Sequence, residues 1–281
     1  MNSGGLLARA VRVETLGDGE PEVAVVGGIH GDEPCGPAAV DRLLDDPPDL
    51  RAPVKLVVAN EEAVERGVRF LEADLNRAFP GDPDGDAHEE RLAAALTAEI
   101  ADCHTLALHA TRSGPEPFAV VEGVAALERR AVPRLGVDAV VDTEGGADGR
   151  VFAAGRAVEV ECGLQGSDAA ADAAETLARR FLAATGAAAP PADAPAARPV
   201  ALYELGEVIE KPPGEPRTFA RNFEEVAAGE RFAAAGDVDL VADAPFYPVL
   251  LSPDGYEHIF GFRAARVGTL DPLGGAADDD D

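Results

Sequence analysis

His30 and Glu33 stand three residues apart in Val25-Val26-Gly27-Gly28-Ile29-His30-Gly31-Asp32-Glu33-Pro34. An imidazole and a carboxylate so spaced in a tight turn can both reach one cation, and Zn²⁺ commonly takes that N,O pair with a further histidine. The bland alternative is a solvated turn before a helix, since a His and an acid three apart recur by chance. His109, 76 residues after Glu33, sits near the end of the apolar stretch Thr105 to Ala110 and is the candidate third ligand. His104 competes for the role, but five residues along a strand reverses the face, and His104 begins the stretch that His109 nearly ends. Glu161 closes Ala157-Val158-Glu159-Val160-Glu161. Two histidines and one carboxylate leave a metal position for water, the arrangement of a catalytic site, and a carboxylate beside that water can serve as general base. Ordinary surface or core positions account for His88, His104 and His258.

Elements must carry these side chains to one place. Glu22 to Ile29 is a nearly continuous apolar run, the kind of strand buried on both faces in a mostly parallel sheet. Pro37 opens a helix with Val40, Leu43 and Leu44 on one face, and Asp45-Asp46-Pro47-Pro48 ends it. Strands are expected over Pro53 to Asn60, Thr105 to Ala110, Phe118 to Glu122 and Arg156 to Cys162, and helices over His88 to Ile100 and Asp168 to Gly186. Alternating strands and helices make an α/β domain. In an open α/β sheet ligands bind beyond the carboxyl ends of strands, where His30, His109 and Glu161 stand.

Composition shifts at Ala187 to Pro199, a run of alanine and proline with nothing to bury. Strand patterns alone follow, over Val200 to Ile209, Val238 to Ala242, Tyr247 to Leu251 and Ile259 to Val267. The expected organisation is an α/β domain over 1–188, a linker or exposed crossing over 189–198, a small β domain over 199–274 and an acidic tail over 275–281.

The 281 residues carry a formal net charge of −28, with 52 acidic side chains against 24 basic ones, of which only Lys55 and Lys211 are lysine. Acid-rich, lysine-poor composition with 46% hydrophobic residues points to a protein that stays hydrated in concentrated salt, a haloarchaeal-type, halophilic composition. The same charge excludes nucleic acid as a partner, which needs a basic face. No apolar run approaches the roughly 20 residues that span a bilayer, and Met1 to Ala10 lacks a signal-peptide core, so no membrane partner and a cytoplasmic location are expected. Cys35, Cys103 and Cys162 are odd in number and far apart, which fits reduced thiols.

His30-Gly31-Asp32-Glu33, then Arg69 through Asp74-Leu75-Asn76-Arg77, then Leu108-His109-Ala110-Thr111 and Glu161-Cys162-Gly163-Leu164-Gln165 together resemble the aspartoacylase and succinylglutamate desuccinylase family. The match runs in order over most of the chain, with Asn222-Phe223, Gly229-Glu230, Tyr247-Pro248-Val249 and Tyr256 in the β segment. The resemblance implies a zinc-carboxypeptidase-like α/β fold, a mixed sheet flanked by helices, with a smaller C-terminal β domain. It implies hydrolysis of the amide bond of an N-acyl amino acid, a small carboxylate-bearing substrate, with one Zn²⁺ per chain. Carried over, it makes His30, Glu33 and His109 the zinc ligands and Glu161 the base that activates zinc-bound water. Arg69 would polarise the scissile carbonyl, while Asn76, Arg77 and Tyr256 would hold a substrate carboxylate, which a guanidinium grips with two parallel hydrogen bonds.

The chain departs from the family pattern at Ala107, where an acid is common two residues before the histidine, and at Leu164, which replaces a proline. A second carboxylate-gripping arginine has Arg150 and Arg156 as candidates. A carboxypeptidase- or esterase-type zinc hydrolase and a non-catalytic metal- or carboxylate-binding homologue stand as the alternatives. The acyl group, the amino acid, the metal used in cells and any homo-oligomer stay open.

Overall fold

The computed structural model describes residues 11–144 and 149–273, so the expectations for Met1 to Ala10 and for the acidic tail lie outside the described residues. In chain order the elements are β1 (Arg12–Leu16), β2 (Val23–Gly27), α1 (Cys35–Asp45), β3 (Val54–Val58), α2 (Glu61–Arg66), α3 (His88–Ile100), β4 (His104–Thr111), β5 (Phe118–Val121), α4 (Ala126–Leu135), β6 (Ala139–Asp142), β7 (Ala157–Leu164) and α5 (Asp168–Ala184). Strands follow: β8 (Val200–Glu210), β9 (Pro216–Thr218), β10 (Arg231–Ala235), β11 (Val238–Val241), β12 (Tyr247–Val249) and β13 (Ile259–Leu270).

Among the described residues ten strands form one sheet in the order β1-β3-β2-β4-β7-β5-β6-β8-β13-β12, and β11-β10-β9 form a smaller antiparallel sheet. Strands β3, β2, β4 and β7 run parallel, while β5 opposes β7 and β13 opposes β8. This is the mixed, helix-flanked sheet expected for the fold class. The strands beyond 189–198 share it, because β8 pairs with β6 and β13 and β12 extend the same ladder. Only β9 to β11 stand apart, over a separate apolar cluster that includes Phe232, Phe246 and Phe260. The crossing is tied down, with the Ala189 N–H donating to Asp49 O at 2.8 Å and Arg198 Nη2 to Val137 O at 3.0 Å.

The unbroken apolar run of β2 has a direct cause: Val23 and Val25 enter the core beneath α1 and α5, while Ala24 and Val26 enter the opposite core beneath α3. The same alternation sorts β4 and β7. Leu106, Leu108, Val158, Val160 and Cys162 pack on the α1–α5 side, which turns Ala107, His109, Glu159 and Glu161 to the other face. Helix α5 starts where the Ser167 hydroxyl accepts the Ala170 N–H at 3.1 Å and buries Leu177, Phe181 and Leu182.

Chain continuity places the site. After β2 the chain moves to β3 on one side and returns to β4 on the other, so the carboxyl end of β2 is a point where strand order reverses. The crossing of β2 and α1 there is closer than side chains allow, since a Cβ on Gly27 would lie 2.3 Å from the Gly36 carbonyl carbon. The glycines around His30 and Glu33 thus let α1 start directly over the strand end.

Candidate active site

His30 and Glu33 come from the turn after β2, and His109 from near the carboxyl end of neighbouring β4. His30 Nδ1 lies 2.8 Å from Glu33 Oε1, and His109 Nδ1 lies 3.1 Å from Glu33 Oε2. Ligand atoms from the three residues fall within 4.8 Å of one another, and all three side chains are buried. Burial alone would raise the Glu33 carboxyl, but the two histidines outweigh it and hold Glu33 well below the usual carboxylate range. Burial likewise opposes a charge on His30, yet the Glu33 charge and the hydrogen bond to Asp74 raise it to about 9.

The far nitrogens of both imidazoles face carboxylates. His30 Nε2 is 3.1 Å from Asp74 Oδ1, and His109 Nε2, buried and without a hydrogen-bond partner, is 3.6 Å from Glu159 Oε1. Two imidazole nitrogens converging on a carboxylate, with an acid facing the far nitrogen of each ring, match the donor set and outer support that catalytic zinc sites use. The residues fit Zn²⁺.

Glu161 is the cross-strand partner of His109 in the β4–β7 register. Its Oε2 is buried and accepts no hydrogen bond, and burial together with the Glu33 charge pushes Glu161 up to about 7. Arg69 reaches both sides of the ligand set, donating through Nη2 to Asp74 Oδ2 at 3.2 Å and through Nη1 to Glu33 Oε1 at 3.4 Å. All eight residues singled out from the sequence, the three ligands with Glu161, Arg69, Asn76, Arg77 and Tyr256, line one cavity of about 420 Å³. Burial and the Glu161 charge raise the Tyr256 phenol, which keeps it a hydrogen-bond donor.

Asn76 is more committed than its expected role requires. Its Nδ2 donates to Glu159 Oε1 at 2.7 Å and its Oδ1 accepts the Val151 N–H at 3.0 Å, leaving one amide hydrogen for a ligand. Arg150 lines the cavity and pairs with Glu159 at 3.6 Å, whereas Arg156 lies at the opposite end of the strands, donating to His104 Nε2 at 3.1 Å. Arg69, Arg77, Arg112 and Arg150 line the cavity beside the acids Asp32, Glu33, Asp74, Glu159, Glu161 and Glu257, so its wall carries both signs of charge.

Three acids at the site were given no role by the sequence reading. Asp74 holds His30, Arg69 and the Asn76 N–H (2.9 Å) at once. Glu159, buried, is held ionised because Arg150, His109 and Asn76 outweigh its desolvation. Glu89, in the first turn of α3, accepts the backbone N–H groups of Leu71 (2.7 Å), Glu72 (3.1 Å) and Ala73 (3.0 Å), clamping the segment between Arg69 and Asp74.

Residues 19–148 match the model of the succinylglutamate desuccinylase/aspartoacylase catalytic domain. That segment is similar to members of the succinylglutamate desuccinylase/aspartoacylase family. The match contains the three candidate ligands and ends before Glu161, whose placement rests on the β4–β7 register. Two curated relatives are an N-acyl-aromatic-L-amino acid amidohydrolase (carboxylate-forming) of Xenopus laevis, 44% identical over 61 residues, and a succinylglutamate desuccinylase of Pseudomonas fluorescens, 36% identical over 91 residues. The aligned segments cover 21% and 31% of this chain and only 20% and 27% of those relatives' own lengths. Likeness in fold is broader. The product-bound ectoine utilization protein EutE from Ruegeria pomeroyi superposes with a TM-score of 0.73 at 20% identity, covering 90% of this chain and 87% of that one. Murine aminoacylase 3 gives 0.69 at 21% identity over 92% and 99%.

Proposed function

We propose that the chain is a zinc-dependent amidohydrolase that cleaves an N-acyl amino acid into a carboxylic acid and an amine. One observation carries the reading: a buried His-Glu-His set and Glu161, whose buried Oε2 has no hydrogen-bond partner, share a cavity with four arginines. When bound, zinc supplies a positive charge that polarises a carbonyl and makes water a stronger acid. Glu161 takes the proton of the water that attacks the acyl carbon and returns it to the nitrogen as the C–N bond breaks. Arg69, oriented by Asp74, places a guanidinium where negative charge develops on the acyl oxygen. Arg77, with the free Asn76 amide hydrogen and the Tyr256 phenol, holds the substrate carboxylate. Neither the zinc nor these roles is part of the family match; the ligand chemistry and the cavity support them.

The test is a turnover screen of the zinc-loaded chain, in molar salt, against acetyl and succinyl derivatives of aspartate, glutamate and neutral amino acids, with dipeptides and simple esters beside them. Faster cleavage of peptides or esters assigns a carboxypeptidase or esterase. One equivalent of zinc with no turnover of any of them assigns a binding homologue. His109→Ala should lose the zinc and His104→Ala should keep it.

A further inference from the structure

A second cavity, of about 90 Å³, opens beside the first. Arg77, Arg150, Glu161 and Leu250 line both, so the two meet at that group. The two arginines are brought side by side by the backbone. The Val151 N–H donates to Asn76 Oδ1 at 3.0 Å, the Phe79 N–H to Gly149 O at 3.0 Å, and a Cβ on Gly149 would lie 2.3 Å from the Arg77 carbonyl oxygen.

Behind this mouth the walls turn apolar, with Phe118 and Val120 from β5, Val141 from β6, Val249 from β12 and Phe262 from β13. The one hydroxyl there, Thr143 Oγ1, is spent on Val121 O at 3.0 Å. Among the described residues, every charge lining the chamber belongs to Arg77, Arg150 or Glu161. Water inside finds few partners, and an alkyl group that displaces it gains burial.

We propose that this chamber receives the side chain of the substrate's amino acid and selects a small branched aliphatic one, of valine, leucine or isoleucine size. This rests on the acyl amino acid reading above. With the α-carboxylate at Arg77 and Arg150 and the scissile bond at Glu161, the third substituent of the α-carbon is the group left to enter. Volume decides its size. A protein cavity that takes a benzene ring measures about 150 Å³, so 90 Å³ refuses an aromatic ring and accepts three or four carbons. An acidic side chain would leave both arginines at the mouth and pass Glu161 into apolar walls, a burial of charge without a partner.

The experiment compares kcat/KM of the zinc-loaded chain for N-acetyl derivatives of leucine, valine, glycine, phenylalanine and aspartate. Leucine or valine should exceed glycine by roughly 10- to 100-fold, the discrimination that apolar pockets give, and should exceed phenylalanine and aspartate by at least about 10-fold. Val141→Leu, which fills the chamber, should lower the leucine-to-glycine ratio several-fold, and Val120→Ala, which enlarges it, should raise the phenylalanine-to-leucine ratio. Aspartate or phenylalanine as best substrate, or ratios unmoved by both variants, overturns the proposal. A chain that hydrolyses none of the five, nor their N-succinyl counterparts, overturns the enzymatic reading instead. Calorimetric binding of N-acetyl-leucine against N-acetylglycine then decides the chamber, tighter leucine binding supporting it and equal affinity overturning it.

Discussion

Glu159 Oε1 stands 3.6 Å from His109 Nε2, and the residue that pairs with Glu159 across the β4–β7 ladder is Ala107. The acid missing two residues before His109 is thus supplied from the next strand, on the same face and in register. Glu159 also accepts from Asn76 and pairs with Arg150, so one buried carboxylate joins a candidate ligand to two groups at the substrate end.

A carboxylate facing the remote nitrogen of a ligating histidine fixes its tautomer, and losing it typically costs 10- to 100-fold in metal affinity. Glu159→Gln should weaken zinc by about that factor in competition with a chromophoric chelator. Ala107→Asp in the Glu159→Gln background should restore part of the loss, because both positions face His109. Unchanged zinc affinity in Glu159→Gln would assign the residue to Asn76 and Arg150 alone.

The candidate ligands and Glu161 stand out in the sequence because each lies just after an apolar strand or toward the carboxyl end of one, where such a sheet places what it binds. Glu89 is not. An acid in the first turn of a helix ordinarily faces solvent and complements the helix dipole, and nothing local says that residues 71–73 fold back onto this one. Helix α4 is obscured by Arg129-Arg130 and by Pro133 inside it, although Leu127, Ala131 and Leu135 bury one face. The alternation in β8, β12 and β13 identifies strands, but it suits an independent β domain as well as a continuation of the main sheet. Only the pairing of β8 with β6 separates the two arrangements.

Glu89 leads to a stability prediction with a defined pH sign. Burial opposes its charge, but the N–H groups of Leu71, Ala73 and Glu72 and the Asn60 amide outweigh this and hold its carboxyl below the ordinary range. A depressed folded value means that the stabilisation is present above the unfolded pKa of about 4.3 and is lost as pH falls through the folded value. Glu89→Gln puts an amide against backbone donors and should cost about 1–3 kcal/mol at neutral pH. The difference in melting temperature from the parent should shrink as pH drops below 4. An equal difference at pH 7 and pH 3 would remove the charge from this account.

Salt dependence is the third expected outcome. With 52 acidic side chains against 24 basic ones, self-repulsion is strong at low ionic strength and is screened over roughly 3 Å at 1 M. Far-UV circular dichroism should lose signal on dialysis from molar salt to low salt and recover on return. A spectrum and melting temperature indifferent to salt would remove the halophilic reading of the composition.

Glu161 should be separable from the three ligands by what its loss does. Its Oε2 has no protein donor, and its partner in the ladder is His109, so it faces the ligand set without belonging to the cluster whose atoms converge within 4.8 Å. Glu161→Gln keeps the shape and removes the ability to accept a proton, and loss of a positioned base typically costs about 10² to 10⁴ in rate. Zinc stoichiometry and kcat measured on one Glu161→Gln preparation should show full zinc with kcat reduced by that factor. If Glu161 were instead a fourth ligand closing a structural site, the same substitution would release metal and there would be no turnover to lose. Lost zinc, or full zinc with undiminished kcat, would remove the proton-transfer role and leave the arginine-lined cavity without its base.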